Sequence, residues 1–275
     1  MPNMFLSKAI EMQECWRKYF FTYQMQIAPK EESKYFRIGR IFHSVSEAIL
    51  KDEDVMKPLD TSEVEEREMI LDLLNAKCKA TKRDFTQVLK EMKKGLLASE
   101  SPISVTFSKK WNWVIKVDAI SEEESGTWMN EFKTASGHGP ATASFYHNSP
   151  QTWTYLYNLD NLYPRLKGVR FHIVTKTKEP TLYTEEVFID SIMMQRAEFL
   201  IKDAIYQADL IEETGTYPRS GTHCKTFRDE CEYLKLCYIY NPILDAPEVG
   251  IRPAYVKEVL ELFKKKDPED HLWKK

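Results

Sequence analysis

No stretch of this 275-residue sequence approaches the roughly 18 to 20 uninterrupted apolar residues that a membrane helix requires. Its first residues also lack the charged region, apolar core and small-residue cleavage site of a secretion signal, so the chain is expected in the cytoplasm. Cysteine is scarce: the five residues Cys15, Cys78, Cys224, Cys231 and Cys237 are an odd number spread over a long chain. That excludes the dense disulfide scaffold of a small secreted domain. Basic excess is absent too, with 39 Lys and Arg against 42 Asp and Glu and a net charge of -3. A general nucleic-acid coating protein, which displaces counterions with a broad surplus of Lys and Arg, is excluded. A local basic channel is not, because carboxylates gathered around a metal add negative charge of their own. The glycines near 137–139 are followed by no Gly-Lys-Ser or Gly-Lys-Thr, so a phosphate-binding loop is a poor reading of them. Internal repeats and low-complexity linkers are missing.

What is present is enough apolar material, 43% of residues with 12% aromatic, to bury a substantial core. Residues 5–25 carry apolar side chains at mixed three and four spacing and predict an amphipathic helix, ended by a polar turn with Pro29. A second helix is expected from Tyr35–Gly39 to Leu50, with Ile41, Val45, Ala48 and Ile49 on one face and His43 and Glu47 on another. Thr61 and Ser62 are candidate caps for a helix over Glu63 to Cys78, and a further helix is expected over Thr81 to Leu97. The lysines of that last helix, together with Arg83, read as a solvated face.

From residue 103 the period changes. ISVTFSKKWNWVIKVDAI predicts a hairpin, TWMNEFKTA a third strand, and SGHGPATA a flexible loop flanked by His138 and His147. Ser149 and Pro150 open a helix to about Leu162, residues 169–175 and 182–188 read as strands, and helices follow over Asp190 to Glu213 and Pro253 to Lys265. The pattern implies an α/β core with an N-terminal helical portion.

Within that pattern, Asp118 ends an apolar strand, where a bare carboxylate is costly unless it faces a metal, a cation or solvent. Glu131 and Lys133 lie two apart on the following strand, so the pleat places them on one face with Phe132 on the other. Two carboxylates and a lysine brought together suit phosphodiester hydrolysis. The carboxylates are hard oxygen ligands for a divalent cation, the Phe132 carbonyl can complete its shell, and Lys133 can orient water or offset developing charge. A surface ion pair is the bland reading of Glu-x-Lys taken alone.

The spacing Asp118-x12-Glu131-Phe132-Lys133 resembles the PD-(D/E)XK nuclease superfamily, and flanking segments are similar to its branch of RecB-type domains, CRISPR adaptation nucleases and phage exonucleases. The similar segments are ECWRKYFF at Cys15, Gly39-x3-His43, Gln151-x3-Tyr155, and Cys224-x6-Cys231-x5-Cys237, in that order along the chain. Val117 stands where the superfamily has Pro, Trp16 where Pro often follows the first Cys, and Arg228 where a middle Cys often falls.

The resemblance implies a single restriction-endonuclease-like domain: a helical portion over 1–100, a central mixed sheet flanked by helices over 101–215, and a Cys-containing segment over 216–275. It implies a metal-dependent deoxyribonuclease, an exonuclease in phage or mobile-element recombination or repair, in a bacterial or phage-infected cell. Mg²⁺ or Mn²⁺ would be held by His43, Asp118, Glu131 and the Phe132 carbonyl, with Lys133 assisting catalysis. Gln151 and Tyr155 would touch DNA or brace the site, or else be core residues. Cys15, Cys224, Cys231 and Cys237 are four soft ligands, enough for a [4Fe–4S] cluster or a zinc, or are small buried residues kept from a cluster-binding relative. With no helicase motor in the sequence, the protein would act alone, as an oligomer, or with a separate helicase or recombination protein. The competing reading is a nucleic-acid-binding or scaffolding protein that retains the fold with little turnover.

Overall fold

The computed structural model describes residues 3–30, 33–138, 140–220, 224, 230–241, 246–247 and 253–266. No helix among them is long and apolar enough to cross a membrane. The chain divides into two compact units assembled from interleaved segments. One comprises Met1–Glu32, Thr106–Val114 and Phe199–Lys275, the other Ser33–Val105 and Ile115–Glu198.

In the first unit the helix expected over 5–25 is broken up. A short strand β1 (Asn3–Phe5) leads into α1 (Leu6–Glu14), the extended backbone of Cys15 interrupts it, and α2 (Trp16–Tyr19) runs on into a π-turn over Phe20–Gln24. Strand β2 (Ile27–Pro29) follows. Later segments add the helices α10 (Leu234–Ile239) and α11 (Pro253–Glu261) and a strand, Phe263–Lys265, that pairs antiparallel with β2. Phe21, Ile27, Tyr233, Leu236, Cys237, Ile239 and Val259 form the core.

The second unit carries the large sheet. Helix α3 (Lys34–Lys51) buries Ile38, Ile41, Phe42 and Val45, the three-and-four stripe of a one-faced helix, and stops at Asp52, whose φ of 57° is left-handed. After α4 (Met56–Leu59), α5 (Val64–Leu74) is capped reciprocally by Glu63 and Glu66 rather than by Thr61 or Ser62. It ends early, and β3 (Lys77–Cys78) joins the sheet edge. Helix α6 (Phe85–Met92), capped by Asp84 and Gln87, is also shorter than its apolar period predicts, because Leu96–Ser99 leaves the helix to become β4.

Strands β5 (Pro102–Thr106) and β6 (Asn112–Lys116) come next. The run WVIKVDAI is two strands, not one: it breaks at Val117–Asp118, and β7 (Ala119–Glu123) belongs to the large sheet. Strand β8 (Gly126–Ala135) begins at a glycine with φ of 140°, where a side-chain carbon would lie 2.7 Å from the Arg165 carbonyl oxygen, so that turn admits only glycine. The second half of the expected flexible loop belongs to the helix α7 (Pro140–His147), with Gly139 outside the described residues. Helix α8 (Pro150–Asp160) is capped by Ser149, with Pro150 in its first turn as its sequence requires. The strands β9 (Leu166–Thr175) and β10 (Thr181–Phe188) and the helix α9 (Ser191–Thr214) complete the order.

The sheet order is β3-β10-β9-β8-β7-β4. It is mixed, with β8 parallel to β9 and β10 parallel to β3, and the other pairs antiparallel. A parallel pair needs a crossover, and α7 and α8 supply the one between β8 and β9. On one sheet face Phe132, Val174, Leu182 and Ala119 pack against Ile38, Phe42, Ile70, Leu73, Phe85 and Leu89 of α3, α5 and α6. On the other, Tyr146 of α7 stacks on Phe171, which stands beside Glu131 in the β8–β9 register.

Candidate active site

The pairing of β7 with β8 ends at Ala119 opposite Asn130. Beyond that point one edge of β8 is left without a strand, and Asp118 takes its place. The Phe132 amide donates to Asp118 Oδ2 at 2.6 Å. A strand residue presents its amide and carbonyl to the same edge, so the Phe132 carbonyl also faces the Asp118 side. The break at Val117–Asp118, invisible in the apolar pattern, creates this geometry.

Asp118 is 7% exposed and Glu131 2% exposed, so both carboxylates are stripped of most water. His43 arrives from α3 with Nδ1 3.2 Å from Asp118 Oδ1. Lys133 Nζ donates to Glu131 Oε1 at 2.6 Å, and Gln151 Nε2 donates to the same oxygen at 2.7 Å. Gln151 Oε1 in turn accepts from Lys133 at 3.3 Å, so α8 holds the Glu–Lys pair from above. Glu131 Oε2 is buried with no hydrogen-bond partner.

Electrostatics follows from this crowding. Burial opposes charge on His43, yet the adjacent Asp118 carboxylate outweighs it and holds the imidazole pKa above its ordinary value. Burial likewise opposes ionisation of Asp118, but His43, Lys133 and the Phe132 amide pull its pKa below the usual range. Glu131 is pushed up by burial and by the Asp118 charge. Lys133 is desolvated, yet Glu131 and Asp118 keep it firmly protonated. Tyr155, one turn after Gln151, has its pKa raised by burial and by the Glu131 charge, and hydrogen bonds with Gln151 and the Lys116 backbone oppose that rise.

One acidic residue escaped the sequence reading. Glu100, between β4 and β5, adopts a left-handed φ of 51°, and its amide donates to the carbonyls of Val117 and Asp118 at 3.2 and 3.1 Å. Its carboxylate pairs with Lys116. Burial and the Asp118 charge push its pKa up to about 7. Ligand atoms of Glu100, His43 and Asp118 all lie within 4.8 Å of one another, the sole such His/Cys/Asp/Glu group among the described residues. The only trace of Glu100 in the sequence is an acid in the turn SESP; β4 itself was hidden in a helical apolar pattern.

The remaining candidates stand elsewhere. Glu47, one turn beyond His43, pairs with Lys51. His138 bonds to Glu185 at 2.8 Å and stacks on Tyr183. Cys15 and Cys237 are buried, and Cys224 and Cys231 half-buried, in the first unit. The Cys231 amide donates to the Cys224 carbonyl at 3.0 Å, and the Cys224 thiol donates to the Ser220 carbonyl at 3.0 Å. Burial raises the pKa of the Cys231 and Cys237 thiols. Arg228 lies outside the described residues.

The donor set fits a hard divalent cation. Imidazole and carboxylate oxygens converge, and a buried carboxylate oxygen without a partner is the kind of group a cation satisfies.

The fold has solved counterparts. A protein of Eubacterium rectale, provisionally named an exonuclease, superposes with a TM-score of 0.55 at 10% identity, covering 85% of this chain and 92% of its own. A second solved protein, SSO0001, reaches a TM-score of 0.36 at 13% identity over 74% of this chain and 75% of its own, too low to bear on the fold. No curated protein matches the sequence. The sequence model of one family matches residues 6–238, a span that takes in His43, Asp118, Glu131, Lys133 and Gln151 alike. A match over most of the chain is decisive where identity to any one solved structure is low, and the protein belongs to the PD-(D/E)XK nuclease superfamily.

Proposed function

We propose that the protein is a divalent-metal-dependent deoxyribonuclease whose active site comprises His43, Asp118, Glu131, Lys133 and Gln151, with Glu100 as an added acid. The observation that carries this reading is the buried, unpartnered Glu131 Oε2 beside a second buried carboxylate and an imidazole. Two unit charges about 4 Å apart at an effective dielectric near 20 interact by roughly 4 kcal/mol. A chain with no use for such a cluster would gain by losing one of its carboxylates.

His43, Asp118, Glu131 and the Phe132 carbonyl would hold Mg²⁺ or Mn²⁺, and Glu100 adds an oxygen next to His43 and Asp118. The ion supplies Lewis acidity and lowers the pKa of water. Lys133, kept protonated by Glu131 and Asp118, offsets negative charge growing on the phosphate. Gln151 fixes both Glu131 and Lys133, so neither has to reorganise as charge develops. Tyr155 supports Gln151.

Exonuclease action in phage or mobile-element recombination or repair, alone, as an oligomer or beside a separate helicase or recombination protein, is supported by the order of matching segments and by the name of the E. rectale protein of like fold. Cys15, Cys224, Cys231 and Cys237 would offer four soft ligands for a [4Fe–4S] cluster or a zinc, or are small buried residues kept from a cluster-binding relative.

Cleavage of end-labelled linear and circular DNA with Mg²⁺, Mn²⁺ or chelator tests the reading. The wild type should cut only with metal, and Lys133→Ala should lower the rate by roughly 10²- to 10³-fold. Cutting restricted to linear DNA establishes an exonuclease. Absence of cutting with either metal leaves a binding protein.

A further inference from the structure

Two large aromatic side chains stand in water on the helix that carries His43. Tyr35 is 64% exposed and Phe36 76% exposed, in the first turn of α3. Single exposed apolar residues are ordinary, but these two are consecutive and stand on the helix that carries His43. Phe36 precedes His43 by seven residues, two turns, which places it within about 20° of the same helical azimuth and roughly 10 Å along the axis. Gly39 lies between them, one turn before His43, and a side-chain carbon there would sit 3.6 Å from Thr134 Oγ1. The start of α3 therefore lies across the end of β8 at Thr134, on the face that carries Phe132.

The third element is Lys176, at the end of β9, whose amide donates to the Ala135 carbonyl at 2.7 Å. Its Nζ stands 5.3 Å from the centre of the Tyr35 ring. No carboxylate pairs with it among the described residues, and burial alone lowers its pKa. The neighbouring cations Lys34 and Arg37 are by contrast occupied by Glu65 and Glu66. A cation left without a counter-ion beside an exposed ring offers the two contacts that single-stranded nucleic acid uses, base stacking and phosphate pairing.

We propose that Tyr35, Phe36 and Lys176 form a track for a single-stranded DNA tail leading to the catalytic cluster, the rings stacking on bases and the ammonium pairing with a backbone phosphate. The inference rests on the nuclease reading of that cluster and names the strand form it acts on. Stacking on an exposed ring face is open to unpaired bases and closed to the interior of a duplex, so the track selects frayed or single-stranded ends. The span from Phe36 to His43 is on the order of three stacked nucleotides at about 3.4 Å each.

The test is fluorescence anisotropy of a labelled single-stranded oligonucleotide in chelator, where nothing is cut, with a blunt duplex alongside, titrated over a range of salt. Phe36→Ala and Tyr35→Ala should each weaken single-strand binding by roughly five- to a hundredfold with an unchanged salt slope. Lys176→Ala should reduce the slope of log affinity against log salt by about 0.7, the loss of one phosphate contact. Duplex binding should move less than twofold in all three. Wild-type affinity in the ring variants, or equal losses for single strand and duplex, overturns the track. The cleavage assay separates the two readings: an enzyme that cuts but whose ring variants bind normally loses the track alone. A protein that never cuts yet loses single-strand binding in those variants loses the nuclease reading and keeps the track.

Discussion

The two faces of β8 are built from alternate residues of one ten-residue strand and behave as different materials. One carries Glu131 and Lys133 into a cluster with Asp118 and Gln151, where every group is charged or bonded to charge. The other presents Asn130 and Phe132 to a neutral interior, where Asn130 bonds to His172 and Phe132 packs edge-on against Phe85. The two histidines show the contrast best. His43, beside Asp118, is held above its ordinary pKa. His172, lowered by burial and by the Arg170 charge, falls to about 3 and stays neutral, with Nδ1 unpartnered. Burial and the Asp118 charge are common to both; direct contact with the carboxylate at His43, and the Arg170 charge at His172, decide the sign.

The sharpest way to break this comparison is to neutralise the charged face. Glu131→Gln should lower the cleavage rate by roughly 10²- to 10³-fold in single-turnover assays while the protein stays folded, since an acid whose ionised form is disfavoured by burial is traded for a neutral isostere. If cutting persists, the cluster is not the catalytic one. Phe132→Ala, one residue along and on the other face, should cost about 3 to 5 kcal/mol in urea unfolding, the usual loss for a fully buried ring. A cost under about 1 kcal/mol would mean the neutral face is not the structural one.

Metal should separate the faces next. Mn²⁺ at about a hundred times its dissociation constant should stabilise the wild type by roughly 2.7 kcal/mol, by thermal denaturation, and Asp118→Asn should lose that gain while His172→Gln keeps it. The smallest effect is in pH. The folded pKa of His172 is about 3 against an ordinary 6.5, so below pH 6.5 the unfolded chain takes up a proton that the folded one refuses. Its contribution is complete above pH 6.5 and falls as pH drops, by about 2 kcal/mol at pH 5. His172→Gln should flatten that part of the stability profile. His43 acts oppositely: its raised pKa contributes stability at low pH that is lost as pH rises through its folded value.

Much of the site could be read from local spacing. Glu131 and Lys133 share a face because strands alternate, and Gln151 and Tyr155 stack because helices repeat near every fourth residue. The ends of α3 and α8 fall close to where apolar stripe, Pro150 and Ser149 place them. In two of the failures a local pattern was overruled by pairing elsewhere, and in a third a single extended residue broke a helical period. LLAS continues a helical apolar period, yet β7 offers it a strand partner. WVIKVDAI is apolar throughout, yet its two halves serve different sheets. The stretch over 5–25 has helical spacing, yet its helix breaks at Cys15.

By itself the sequence determined which strand carries the Glu–Lys pair and which helix carries His43, because periodicity is a property of neighbours a few residues apart. Only the tertiary structure decided that β7 parts from β8 at Asn130, leaving an edge for Asp118 to fill. It alone brought Glu100 to His43 and Asp118 and set the opposite pKa shifts of the two histidines. Desolvation and charge depend on distances across the fold, and no spacing along the chain encodes them.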